Sequence, residues 1–199
     1  MPGVSETDLI NAALRLIGGT RITSLTQGVK NSNVGQDLYE IVRDDLLRCH
    51  NWNFATKRVE LGRSVTLPAF EFDYGYAVPT DWMRTVSVHD NDAGIGTIVY
   101  CEENLNDQRC ILASAENVYL RYVAQVTDPN LMAADFRKAL VTSLARDMSL
   151  PITSSNTLRE FYEKKADRDI LRAKGSDALG SSPERRPAGS WVTSRGGWR

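Results

Sequence analysis

Histidine, cysteine and long apolar runs are scarce in this chain, and each scarcity excludes a class of function. Only two histidines and three cysteines occur in 199 residues. Cys49, Cys101 and Cys110 form no CxxC pair, so a structural zinc site is not expected. Unpaired thiols fit a reducing compartment. No apolar stretch approaches the roughly 20 residues of a spanning helix, and no membrane partner is expected. The opening Met1-Pro-Gly-Val-Ser-Glu-Thr-Asp8 lacks the basic start and apolar stretch of a signal peptide, so synthesis is expected in the cytoplasm. Basic excess is missing too: 24 Lys and Arg face 25 Asp and Glu. A general nucleic-acid coat needs such an excess. Phosphate-binding GxGxxG and GxxxxGK[ST] loops are absent, as are GxSxG and HExxH, and no cofactor is expected.

What remains for catalysis is sparse. Cys49-His50 is the most tempting pair, but neighbours on a helix point about 100° apart and do not readily meet. His89 is the other candidate partner for Cys49. The plainer reading makes Cys49 a half-buried helix-end residue, with His50 near the negative end of the dipole. Asp44-Asp45 and Glu102-Glu103 are neighbours along the chain, whereas a glycosidase needs carboxyls facing across a substrate. No enzyme activity is expected.

The composition, 42% hydrophobic and 25% charged, is that of an ordinary globular chain. Ser5-Glu-Thr-Asp8 has the form of a capping box with Asp in the Glu position. Leu9, Ile10, Ala13, Leu14, Leu16 and Ile17 follow at helical spacing, and Gly18-Gly19 stops the helix. Ile22 and Leu25 anchor the next loop. A second helix is expected from Ser32 or Asn33, with Val34, Leu38, Ile41, Val42, Leu46 and Leu47 on its apolar face.

From Phe54 the period becomes alternating: Val59 to Leu67, then Phe70, Phe72, Tyr74 and Tyr76, then Val86 and Val88, Ile98 and Tyr100, and Val118 to Tyr122. Helices return after Thr127-Asp-Pro129. One carries Phe136, Leu140, Leu144 and Met148 and should end before Pro151. The last is rich in charge. Its narrow apolar stripe predicts a position at the surface or between subunits, and Arg159, Glu163, Lys164, Arg168 and Arg172 are its candidate subunit contacts. The expected class is α+β: a four-helix bundle with an inserted antiparallel β-domain and an extended C-terminal arm. Residues 1–53 supply the first two helices, 54–126 the β-domain, 127–174 the last two helices and 175–199 the arm.

The arm is dense in Gly, Ser and Pro, which predicts neither helix nor core. It nevertheless carries Trp191 and Trp198 beside Arg185, Arg186, Arg195 and Arg199. Tryptophan and arginine are the side chains most enriched at interface hot spots, so the arm reads as a segment that orders on a partner. The competing reading is a flexible terminus with no partner.

Five blocks resemble a known family in its own order. They are Ala13-Leu-Arg-Leu-Ile-Gly-Gly-Thr-Arg-Ile-Thr-Ser-Leu25, and Val42-Arg-Asp-Asp-Leu-Leu-Arg-Cys-His-Asn-Trp-Asn-Phe-Ala-Thr-Lys-Arg58. Then come Tyr74-Gly-Tyr-Ala-Val-Pro-Thr-Asp-Trp-Met-Arg84, Val118-Tyr-Leu-Arg-Tyr-Val-Ala-Gln-Val-Thr-Asp-Pro-Asn130, and Ser190-Trp-Val-Thr-Ser-Arg195. Together they resemble the tail tubular protein A family, the head-to-tail adaptors of short-tailed bacteriophages. Residues 95–108 and the last four depart from the pattern. The resemblance implies a virion structural protein of the tail or neck. It implies a homo-oligomeric ring of twelve subunits between the portal protein and a tail tubular protein B-like nozzle, with genome DNA passing through the lumen. With the portal as the partner that the resemblance supplies, Arg185, Arg186, Trp191, Arg195, Trp198 and Arg199 of the arm are the candidate portal-binding residues. The alternative from another class is a tail-associated hydrolase of host cell-surface polymers, working through carboxylates of the β-domain. A DNA-binding head-completion plug would need a basic face, and the arginines of the arm are the only cluster.

Overall fold

Local sequence rules account for most helix ends in the computed structural model, which describes residues 3–180. Helix α1 (Glu6–Leu16) opens on the expected box: Asp8 N donates to Ser5 Oγ and Ser5 N donates to the Asp8 carboxylate at 3.0 Å. Gly18 takes the left-handed φ of 74°, and Gly19 N donates to Leu14 O at 2.8 Å, which closes the helix. Helix α2 (Lys30–Arg48) begins at Lys30 rather than at Ser32 or Asn33. Ser32 does not cap; its hydroxyl donates back to Val29 O inside the first turn. Gly35 lets α1 and α2 touch, since a Cβ there would lie 2.7 Å from Ile10 Cγ2.

Helix α3 (Ala134–Thr153) runs through Pro151 instead of stopping before it. The proline removes one helical N–H bond, and only Ile152 and Thr153 follow it in the helix. Thr153 Oγ1 donates to Ser149 O at 2.6 Å, and Ser154 at φ 55° closes the end. Helix α4 (Asn156–Leu179) is capped by Ser155, whose hydroxyl accepts from Leu158 N. It passes Lys174 and Gly175, where the sequence suggested an end, and stops at Gly180. Bonds from Asn53 to Asp177 offset the glycine's cost of about 1 kcal/mol.

The described residues are mixed α+β, with four α-helices and two antiparallel three-stranded sheets. The strands all fall between α2 and α3: β1 (Thr56–Leu61), β2 (Tyr74–Ala77), β3 (Trp82–His89), β4 (Cys101–Leu105), β5 (Gln108–Ala113) and β6 (Val118–Ala124). One sheet has the order β1-β6-β3 and the other β2-β5-β4. Helix α3 touches the other three helices. One core lies among the helices and takes Met83 and Val123 from the first sheet; a second core holds Val88, Ile111, Leu120 and Tyr122.

Three expectations about strands need correction: the Ile98 and Tyr100 pair, for one, lies in the loop before β4 and not in a strand. Val86 and Val88 were expected on one face, but register shifts in β3, between Trp82 and Arg84 and between Thr85 and Ser87, break the alternation. Val86 therefore packs towards the helices and Val88 into the β core. Val65, Leu67 and Phe70 form no strand and are exposed. Pro68 removes a ladder donor, and Glu71 adopts the left-handed φ of 72°, so the alternating run becomes ordered β pairing only at Tyr74.

Asp81 joins the strands of the first sheet. Tyr122 Oη donates to Asp81 Oδ1 at 3.0 Å, Lys57 Nζ donates to Oδ2 at 2.6 Å, and Gln125 N donates to the backbone carbonyl at 2.7 Å. Burial alone would raise the Asp81 carboxyl, but Lys57 and Tyr122 hold it below the ordinary range. Burial and the facing carboxylate push the Tyr122 phenol up to about 12. The folded state thus resists protonation at Asp81. That contribution is present above the ordinary carboxylate pKa and is lost as pH falls through the lowered one. Asp81→Asn should cost about 1–2 kcal/mol at neutral pH in urea unfolding. The gap from the parent should narrow in acid; a constant gap would show that the charge contributes nothing.

Candidate interaction surfaces

Helix α4 is built to lie on the surface. Tyr162, Ala166, Asp169 and Ala173 form its buried stripe, and Tyr162 Oη donates to Leu16 O at 2.6 Å. Lys138 Nζ lies 3.6 Å from Asp169 Oδ1. Arg159, Glu163, Lys164, Arg168 and Arg172 are all exposed, and among the described residues none of the five makes an ion pair within 4.0 Å. Phe161 (54% exposed) and Leu171 (68% exposed) stand among them. At about 100° per residue, Phe161, Lys164, Arg168, Leu171 and Arg172 fall on one outward arc. A solvated face has no need of two large apolar groups beside cations.

The end of α4 is tied to the turn that follows α2. Asn53 N donates to the Asp177 carboxylate at 3.1 Å, and Asn53 Nδ2 donates to Asp177 O at 2.6 Å. His50 Nε2 lies 3.4 Å from Asp177 Oδ2, and the His50 ring meets Trp52 edge-on at 4.9 Å. Burial lowers the His50 pKa more than Asp177 raises it. These bonds carry the helix past Gly175. The portal-binding candidates Arg185, Arg186, Trp191, Arg195, Trp198 and Arg199 lie outside the described residues.

The tempting catalytic groups are not all brought together. A groove of about 880 Å³ runs along the outer face of the first sheet, between the 91–97 loop and the end of α4. His50 and His89 both line it; Cys49 does not. His89 is engaged by Gly96 O and, at 2.9 Å, by Ser87 Oγ. Cys49 is exposed as a residue, yet desolvation of its sulfur outweighs the Lys174 ammonium and raises the thiol. A nucleophilic thiol needs the opposite shift.

The carboxylate pairs are equally ordinary. Asp44 accepts from Arg43 Nε at 2.7 Å and from Gln125 Nε2 at 2.8 Å. Glu102 and Glu103 are successive residues of β4 and so point to opposite faces. Asp8 and Asp128 are held low by bonds from Ser5 and Asn130, the reverse of a general acid.

Residues that the sequence reading passed over dominate these surfaces. Asp177 sits beyond the expected helix end, and its role as an anchor had no local signal. Val65, Leu67 and Phe70, which alternation suggested as strand positions, are exposed on loops of the β half, and so are Ile95 and Val99. Arg58 and Arg121, opposed across β1 and β6, line the groove, and Arg121 Nε is buried without a partner among the described residues. No protein-family model matches this sequence, and no curated protein matches it either.

Proposed function

We propose that this chain is a head-to-tail adaptor of a short-tailed bacteriophage: one subunit of a ring, twelve in the virion, that joins the portal to the tail nozzle. The reading rests on five sequence blocks in the family's order. The observation that supports it best is that large apolar groups are exposed in both halves of one small chain. Phe161 and Leu171 stand among cations on α4, and Val65, Leu67, Phe70, Ile95 and Val99 stand on loops of the β half. A connector needs one surface for each side, and large exposed apolar groups mark such surfaces.

In this reading the four helices act as one bundle that faces the portal and neighbouring subunits. The β loops meet the nozzle, and the tail from Ser181 carries the portal anchors. A near-neutral chain suits a lumen through which DNA must slide, because dense phosphate neutralisation would hold the genome in place.

The test is a pull-down of the full chain by purified portal, with light scattering of the chain alone. The chain alone should be a monomer or small oligomer, and it should be retained by portal. A chain that portal never retains, at low or physiological salt, would refute the proposal.

A further inference from the structure

A groove of about 500 Å³ lies between α1, α3 and α4, with Leu9, Ala12, Leu16 and Val141 among the apolar residues that line it. Its charged lining is of one sign: Arg15, Arg137, Lys138 and Lys165, with no carboxylate. Lys138 faces Asp169, and Lys165 lies over the Tyr162 ring. Arg15 and Arg137 make no ion pair within 4.0 Å among the described residues. A solvated face would rarely set two free arginines beside bare apolar floor.

The same chain carries the complement on α2. Ile41 is 67% exposed, although the helix buries Tyr39, Val42, Leu46 and Leu47 on its other side. At about 100° per residue, Asp37, Asp44 and Asp45 fall within roughly 60° of Ile41, and Glu40 falls beside them. Asp44 is engaged by Arg43 and Gln125, while Asp37, Glu40 and Asp45 make no ion pair within 4.0 Å among the described residues. No α2 residue lines the groove, so among the described residues the two surfaces do not meet within one chain.

We infer that Ile41, with its surrounding carboxylates, docks into the cationic groove of a second copy of this chain. The contact is heterologous: one surface of each copy meets a different surface of the next, so it propagates and closes into a ring if the rotation allows. The assignment names the subunit interface of the ring proposed above and rests on that reading. It also moves the main ion pairs between subunits from α4's outer face to α2 and the α1–α3 groove. One apolar knob with a rim of exposed charges is a small interface, so the contact is weak in free chains and strengthens when portal holds copies side by side.

Cross-linking tests this directly. In a Cys49→Ser, Cys101→Ser background, Asp45→Cys, at the rim beside the intact Ile41, is placed on one tagged chain and Ala12→Cys on another, and a short bis-maleimide is added. The mixture should yield the joined pair, and neither chain mixed with the background should. A chain bearing both cysteines should give a ladder that extends beyond dimer. Glu40→Lys should reduce the adduct about threefold, and Arg137→Glu on the partner should restore it. Circular dichroism of each variant confirms that it is folded. No adduct, or a product that stops at dimer, overturns the interface. If portal still assembles a ring from chains that fail to cross-link, only this interface falls. If the ladder forms but portal never retains the chain, the interface stands and the adaptor reading falls.

Discussion

Trp52→Ala should destabilise the fold by about 3–5 kcal/mol, the largest effect expected of any single substitution in this chain. Trp52 is fully buried in the helical core. Its ring meets Phe136 edge-on at 5.0 Å, and Phe54 meets Phe136 at the same distance. Its Nε1 donates to Leu46 O at 2.8 Å near the end of α2. The ring therefore packs three segments together: the end of α2, the start of β1 and α3. Alanine would lose the burial and the aromatic contacts, leave a cavity and free a carbonyl at once. Trp52→Phe keeps the ring packing but loses the donor, and should cost about 1–2 kcal/mol. Urea unfolding checks both, and equal costs would show that the aromatic packing contributes little.

Removing the tail should abolish retention by portal, and the point of truncation should separate two roles. A chain ending at Gly180 keeps Asp177 with its bonds to Asn53, so its stability should match the parent. A chain ending at Lys174 loses Asp177 and leaves Asn53 N without its acceptor, and should be weaker by about 1–3 kcal/mol. Both should fail to bind portal. Within the full chain, Trp191→Ala should weaken retention by 2–4 kcal/mol, roughly 30-fold or more. Arg199→Ala should do much less, because a single charge at an interface rim contributes far less than a buried indole. Two tryptophans do not offset the ordering of the whole segment, at about 1–2 kcal/mol per backbone residue, so the arginines and backbone bonds to portal must contribute. Undiminished retention of the chain ending at Gly180 would assign the tail another partner.

These two cases mark what the sequence could and could not reveal. The first helix start was legible because a side chain caps it locally, at Ser5, and its glycine stop was legible where the backbone turns left-handed, at Gly18. The end of α4 was not, because Asp177 is held by Asn53, 124 residues away in sequence. The alternation at Val86 and Val88 was visible, but the bulge that reverses it is a pairing irregularity with no local residue code. Val65, Leu67 and Phe70 looked like strand because periodicity reports alternation, not whether a partner strand exists. The cationic groove was invisible for a related reason: Arg15 and Arg137 come from helices far apart in the chain, and only packing places them together.

The measurement that tests the central claim most directly is an image of an assembled particle in which this chain is located. The account predicts twelve copies in a closed ring between portal and nozzle. The tail of each copy should lie on portal, and Ile41 of each should sit in the Arg15–Arg137 groove of its neighbour. Location anywhere else in the particle, or absence from it, would contradict the account.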